Sequence, residues 1–285
     1  MVEEGNRRDR GLTRGLRDTS GADLLRGLGA RRSAPLLAGL ARLAVSRFVT
    51  DVSEMDAAVA RGGLAAAAEV VLPRYAGEVT IRGGQPPAEG PLLVVSNHAG
   101  TVDAPAIWRM LAVRDDVLII ALERPILRTI PHMASRLLYV NGDAHGRTGL
   151  VRRAAEHLRS GGAILTFPAG TIEPDPRLRF ADALASLNSW GSSVELLVRL
   201  APGTAVLPVA VSGVISQRML RNPLARRRAT AEDRELAAAT LQILVRDRSV
   251  RPVVSVGEPL RGRSGVAGLR EAMVQLLHDC VAGPS

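Results

Sequence analysis

The chain is poor in the side chains that most often announce a function by themselves. Among 285 residues there is one cysteine, Cys280. This excludes a disulfide framework and a cysteine-based zinc site, and it fits a reducing compartment. Lysine is absent, so all 37 cationic side chains are arginine. We read arginine in place of lysine as base composition and give it no functional weight. Aromatic residues make up 2% of the chain, too few for the stacking platforms that bind single-stranded nucleic acid. No helix-turn-helix, zinc spacing or aromatic ribonucleoprotein pattern appears either, so no nucleic-acid partner is expected. No run of about 18 uncharged apolar residues is present, which argues against a membrane-spanning helix. The Arg-rich start also carries acidic residues and leads into no apolar stretch of the kind a signal peptide needs. The expectation is a cytoplasmic protein, peripheral on the inner face of the cell membrane.

What is present is ordinary globular material, with 46% hydrophobic and 23% charged residues. The formal charge of +9 suits a polyanion: anionic lipid, coenzyme phosphates or nucleic acid. Residues 1–32 are Gly- and Arg-rich without periodicity and read as a basic, disordered tail. In the segment 33–75, Leu36, Leu37, Leu40, Leu43 and Ala44 form an apolar stripe with Arg42 and Arg47 off it. An Ala-rich stretch from Ser53 to Leu72 then ends at Pro73. Two such helices either pack on the domain or lie in a lipid interface as an amphipathic pair. From 76 to 285, short apolar runs alternate with helical patterns. The strand candidates are "VTIRG", "PLLVVSN", "VLIIAL", "RLLYVN", "AILTFP", "AVLPVAVSG" and "PVVSVG". Helices are expected over Asp103–Ala112, Ile126–Ser135, Gly149–Arg159, Val194–Leu200, Ala231–Val245 and Val266–Val281. This alternation predicts an α/β domain around a mixed, mostly parallel sheet flanked by helices.

Ligands of open α/β sheets bind beyond the carboxyl ends of the strands. Two polar turns stand at such ends, "SNHAGTVDAP" and "FPAGTIEPDP". In the first, Asn97 and His98 close a strand and Asp103 falls at the start of a helix, with Pro105 where proline is tolerated. An aspartate five positions on is within folding reach of one imidazole nitrogen, which leaves the other to act as a base. General base catalysis of this kind contributes roughly 10²–10⁴-fold. The alternative is a plain helix cap beside a loop histidine. In the second turn, Phe167, Pro168, Ala169, Gly170 and Thr171 bring glycine and backbone amides where an oxyanion could be held.

Taken together and in order, "NHAGTVD" and "FPAGTIE" resemble the Asn-His-x-x-x-x-Asp and Phe-Pro-Glu-Gly-Thr-Arg blocks of the glycerolipid and lysophospholipid acyltransferases. "RLLYVNGDAHGR" and "AVLPVAVSG" resemble two weaker blocks of the same family, and the likeness runs from about Thr80 to Gly213. It implies transfer of a fatty acyl group from acyl-CoA or acyl carrier protein to a hydroxyl of a lysophospholipid-like acceptor, with no acyl-enzyme and no cofactor. By resemblance His98 is the base and Asp103 orients it, with Asn97, Phe167, Pro168, Gly170 and Thr171 around the substrate. The family's glutamate and arginine in the second turn, which help bind glycerol phosphate, are Ala169 and Ile172 in this sequence. An Arg–phosphate fork is therefore missing there. Arg147, Arg177 and Arg179 are candidates to replace it, and a non-phosphate acceptor such as a glycolipid or another lipid alcohol stays open. So does a non-catalytic lipid-binding relative. Glu173 and Asp175 are placed either on a cationic head group or on the loop itself. His132, His145, His157 and His278 show no metal-ligand spacing, and no metal is expected. Trp108 and Trp190 are read as core residues, the latter also as a lipid-facing edge.

Overall fold

A computed structural model describes residues 35–140 and 144–282. The basic tail, Asn141, Gly142 and Asp143 lie outside them. The chain divides into two compact units.

The larger unit comprises Gly77–Glu123, Arg136–Val214 and Arg251–Ser285 and holds all seven strands: β1 Thr80–Gly83, β2 Leu92–Ser96, β3 Val117–Leu122, β4 Leu137–Val140, β5 Ala163–Thr166, β6 Ala205–Ser212 and β7 Val253–Val256. They form one sheet in the order β1-β7-β6-β2-β5-β3-β4. Every neighbouring pair is parallel except β6 with β7. Each of the seven apolar runs in the sequence has become a strand. Their composition explains their place: β2, β5, β6 and β7 are buried at every residue, as continuous Val/Leu/Ile runs covered on both faces should be. The edge strand β1, "TIRG", is mostly exposed.

Leu93 and Val95 of β2, Ile164 of β5 and Val206 and Ala210 of β6 point to one face. There they meet Leu158, Leu197, Met273 and Leu277 from the helices Ala144–Arg159, Ser193–Leu200 and Gly262–Val281. Burying each such side chain contributes about 1.5–3 kcal/mol. Pro208 sits inside β6, where a missing N–H is normally costly. Its carbonyl instead accepts from Gly257 N (2.9 Å), and a Cβ at Gly257 would stand 2.9 Å from Pro208 Cγ. The proline fits because the residue facing it has no side chain.

The smaller unit, from the described part of Met1–Ala76, Arg124–Ser135 and Ile215–Val250, is helical. Its first helix runs Pro35–Tyr75 and is interrupted at Gly62 and Gly63, where Gly63 takes φ 66°. The break thus falls at the Gly-Gly pair, ten residues beyond the boundary that the change in composition suggested, because glycine adopts this backbone without a Cβ penalty. Pro73 does not end the helix; it is carried in the last turn. The expected single helix Ile126–Ser135 is two short ones, Pro125–Arg128 and Pro131–Ala134, since Pro131 cannot continue a helix from the preceding turn and starts a new one. Ala231–Val245 matches its sequence expectation. Thr230 Oγ1 caps it by accepting from Asp233 N at 3.0 Å, and Glu232 and Asp233 stand in the first turn, where the helix dipole favours acids.

This unit's interior is pinned by a buried carboxylate. Asp51, 3% exposed, accepts from Tyr75 OH (2.5 Å), Arg74 Nη1 (2.7 Å), and Arg246 Nε and Nη2 (2.9 and 2.7 Å). Burial and the adjacent Asp51 charge push the Tyr75 phenol well above its ordinary range. Among the described residues no helix is long and apolar enough to cross a membrane.

Candidate active site

Adjacency of β2 and β5 brings the two polar turns together. Val95 pairs with Thr166, so His98, just past the end of β2, stands beside Phe167, just past the end of β5. The imidazole and the Phe167 ring pack with centroids 4.6 Å apart, tilted by 31°. Asp103 opens the helix Asp103–Met110 and is completely buried. Its Oδ2 lies 2.7 Å from His98 Nδ1 and also accepts from Gly100 N (3.0 Å), while Oδ1 accepts from Ala104 N (2.7 Å). A carboxylate held by two main-chain amides at a helix start cannot turn away. It therefore fixes the ring so that Nδ1 faces inward. The imidazole is 31% exposed, and among the described residues its Nε2 has no hydrogen-bond partner. Desolvation lowers the His98 pKa, but the Asp103 charge and hydrogen bond and the charge of Glu173 outweigh it, and the net shift is upward.

The other sequence-predicted residues fall into two groups. Facing outward are Gly170, Thr171 and Ile172, all exposed. Gly170 takes φ 65° with open space where a Cβ would stand, and its N–H closes the turn onto Phe167 O at 3.0 Å. Gly170 therefore shapes the bend, and its own amide is not spare. The amides of Thr171 and Ile172 have no acceptor among the described residues. Arg147, on the helix Ala144–Arg159, and Arg177 are exposed; Arg177 Nη1 donates to Arg251 O at 3.2 Å. Arg179 pairs with Asp182 at 2.8 Å.

The second group makes its hydrogen bonds within the scaffold, so that the Asn97 amide, expected beside the substrate, is spent on β6, and Asp175 takes the loop role among the two expected for it. Asn97 is 2% exposed and holds Val211 of β6 at both ends of its amide, donating to Val211 O (2.9 Å) and accepting from Val211 N (2.8 Å). Asp175 is fully buried and accepts from Gly213 N (2.9 Å) and Val214 N (2.7 Å). Pro168 contributes a carbonyl that accepts from Gly191 N.

Glu173, 4% exposed, does not reach out to a head group. Its Oε2 accepts from His98 N (2.9 Å), and its Oε1 from Ser186 Oγ (2.8 Å) and Trp190 Nε1 (2.9 Å). In return Glu173 N donates to His98 O at 2.6 Å. The two turns are thus stitched by a reciprocal pair of bonds. Ser186 and Trp190 were invisible as site residues, because no spacing rule connects a loop glutamate to a serine and a tryptophan 13 and 17 positions later. Trp190 packs half-buried against the core, and its indole N–H is spent on Glu173.

Cys280 is buried, and desolvation pushes its thiol up to about 11, which makes it inert as a nucleophile at neutral pH. His157 Nε2 is bonded to Asp116 O (2.8 Å) and His278 packs on Phe180. Among the described residues no group of three His, Cys, Asp or Glu side chains is placed to hold a metal ion.

Residues 78–212 match the family model described as Acyltransferase. The crystal structure of the 1-acyl-sn-glycerophosphate (LPA) acyltransferase PlsC from Thermotoga maritima is similar to the chain at 17% identity and a TM-score of 0.47, covering 98% of this chain and 99% of that one. No curated protein matches.

Proposed function

We propose that the protein, whose residues 78–212 match the family model described as Acyltransferase, moves a fatty acyl group from acyl-CoA or acyl carrier protein to a hydroxyl of a lysophospholipid-like acceptor, with His98 as general base. The observation that carries this reading is the 2.7 Å contact of His98 Nδ1 with Asp103 on a ring whose opposite nitrogen is open. The acceptor hydroxyl gives its proton to Nε2 as its oxygen attacks the thioester carbon. The C–S bond then breaks, and the thiolate recovers that proton from the imidazolium. Asp103 holds the ring and balances the cation. The amides of Thr171 and Ile172 are the donors best placed, by being unused, to receive the developing oxyanion. Deleting one such donor typically costs about 10²–10³ in turnover.

The acceptor class turns on Ile172. It is 48% exposed on the loop that follows the Gly170 bend, and an apolar side chain there offers no charge-assisted bond to a phosphate. This favours, as a second reading of the same chemistry, an acceptor without phosphate at that position, such as a glycolipid or another lipid alcohol. The same reading puts the reaction at the inner face of the cell membrane, supported by the surplus of arginine in the sequence, which suits anionic lipid.

The test is release of free CoA from acyl-CoA by the purified protein across a panel of lysophospholipids, glycolipids and simple lipid alcohols. One acceptor class is expected to support release, and His98→Ala to abolish it. Release that survives His98→Ala would remove the mechanism. Failure of every acceptor with either donor, alongside binding of the protein to liposomes, would favour a lipid-binding relative instead.

A further inference from the structure

Glu173 poses a problem that its hydrogen bonds alone do not resolve. Three donors converge on its carboxylate, from His98 N, Ser186 Oγ and Trp190 Nε1, so every bond the side chain makes is one in which it accepts. A neutral acceptor such as a glutamine or a serine oxygen satisfies main-chain and side-chain donors at far lower desolvation cost than a carboxylate does. Among the described residues Glu173 nevertheless has no arginine partner, and it is buried. A buried carboxylate ordinarily comes with a cation.

The group it faces is His98. Two titratable acids bear on that imidazole: Asp103 from the helix Asp103–Met110, on Nδ1, and Glu173 from the loop beyond β5, bonded to the main-chain N–H of the same histidine. Neither has a cationic partner of its own among the described residues. One imidazole therefore serves two carboxylates. That excess of negative charge is halved when the ring carries a proton, which is the state that proton abstraction from a substrate creates.

We infer that Glu173 is a positioning residue of the acyl-transfer reaction, a second carboxylate that stitches the two turns together and stabilises the imidazolium formed on His98 as the acceptor is deprotonated. This rests on the proposed role of His98 as base. Asp103 governs the tautomer and direction of the ring, and Glu173 governs its charge and the placement of its backbone. Ser186 and Trp190 hold the carboxylate in line. They extend the site to the short helix Phe180–Ser186 and the turn after it, outside either sequence block. The upward pull of Glu173 on the His98 pKa agrees with this division of labour.

The experiment compares the wild-type protein with Glu173→Gln and Glu173→Asp. One readout is the proton NMR titration of the His98 ring, assigned by its loss in His98→Ala. The other is the pH dependence of kcat/KM for CoA release. Removing the charge in Glu173→Gln is expected to lower the His98 midpoint by about one pH unit and to reduce kcat about threefold to tenfold with KM little changed. Glu173→Asp keeps the charge and should bring the midpoint back towards wild type even where its shorter reach lowers stability. An unmoved midpoint in Glu173→Gln would overturn the inference, and so would equal shifts in both variants, because loop disorder rather than charge would then be the cause. The NMR titration reads the inference even if CoA release fails for every acceptor, so the two proposals fail separately.

Discussion

Two buried aspartates show what each unit of the molecule is built for. Asp51 in the helical unit and Asp103 in the sheet unit are 3% and 0% exposed, and each gathers several donors. Asp51 is saturated by permanent partners: two guanidinium groups and a phenol. Nothing in that cluster is left to react, and its value is rigidity. Asp103 gathers two backbone amides and an imidazole, and the imidazole has its second nitrogen open. The same carboxylate chemistry makes a pin where the partners keep their protons, and an arrangement suited to proton transfer where the partner is an imidazole.

The comparison can be broken most sharply at the dyad. His98→Ala should reduce kcat by about 10²–10⁴-fold. Asp103→Asn should come close to it, because an amide that donates to Nδ1 leaves the proton on Nε2, where it blocks base catalysis. A steady-state assay of CoA release checks both, with thermal unfolding to show that the fold survives. If Asp103→Asn retained more than half of the activity, the aspartate would be a helix cap and nothing more.

Next in size is the opposite substitution. Asp51→Ala should cost about 1–3 kcal/mol of stability, since the buried Tyr75 hydroxyl loses its acceptor. It should leave the pH dependence of kcat/KM where it was. Chemical denaturation and a pH profile separate these two effects.

A smaller effect sharpens the comparison along the pH axis. The raised pKa of His98 places the acid limb of kcat/KM above the ordinary imidazole midpoint of about 6.5, because only the neutral ring accepts a proton. Stability runs the other way. A folded pKa above the unfolded one means that the stabilisation from protonated His98 is fully present below the unfolded pKa and is lost as pH rises through the folded pKa. The stability difference between wild type and His98→Ala should therefore shrink from acid to alkaline pH in denaturant titrations, while activity grows. Least of all should change in the kcat of Cys280→Ala, which is expected to match wild type within a factor of about two, because a buried thiol held protonated takes no part in the proposed chemistry. A large loss of kcat without a loss of stability would reopen the thiol.

Much of this was legible in the sequence, for identifiable reasons. The strands were, because β-branched runs of four to eight residues between Gly and Pro have few other destinations. The His98–Asp103 contact was within reach on spacing, which left a plain helix cap open, and the likeness of the two turns to the acyltransferase blocks favoured it. What escaped depends on burial and on distant partners. Asn97 and Glu173 are polar residues in the two turns of the candidate site, and the chain alone does not tell whether such a side chain faces a groove or the sheet. Only the β2–β6 pairing turns Asn97 inward, and only the helix Phe180–Ser186 brings Ser186 back to Glu173. The short helices Gln217–Leu220 and Pro223–Arg226 were equally silent, being too brief to show a period.

The amide of Asn97 has one more consequence. By bonding both N and O of Val211, it imitates a peptide group and adds a last rung to the β2–β6 ladder without spending main chain on it. The backbone is thereby released from the sheet at residue 97, and the amide and carbonyl of His98 are left to bind Glu173 instead. Sheet integrity and loop geometry are uncoupled at that point. Residues 99–102 follow their own path to Asp103, with Gly100 N on its carboxylate, while β6 stays docked.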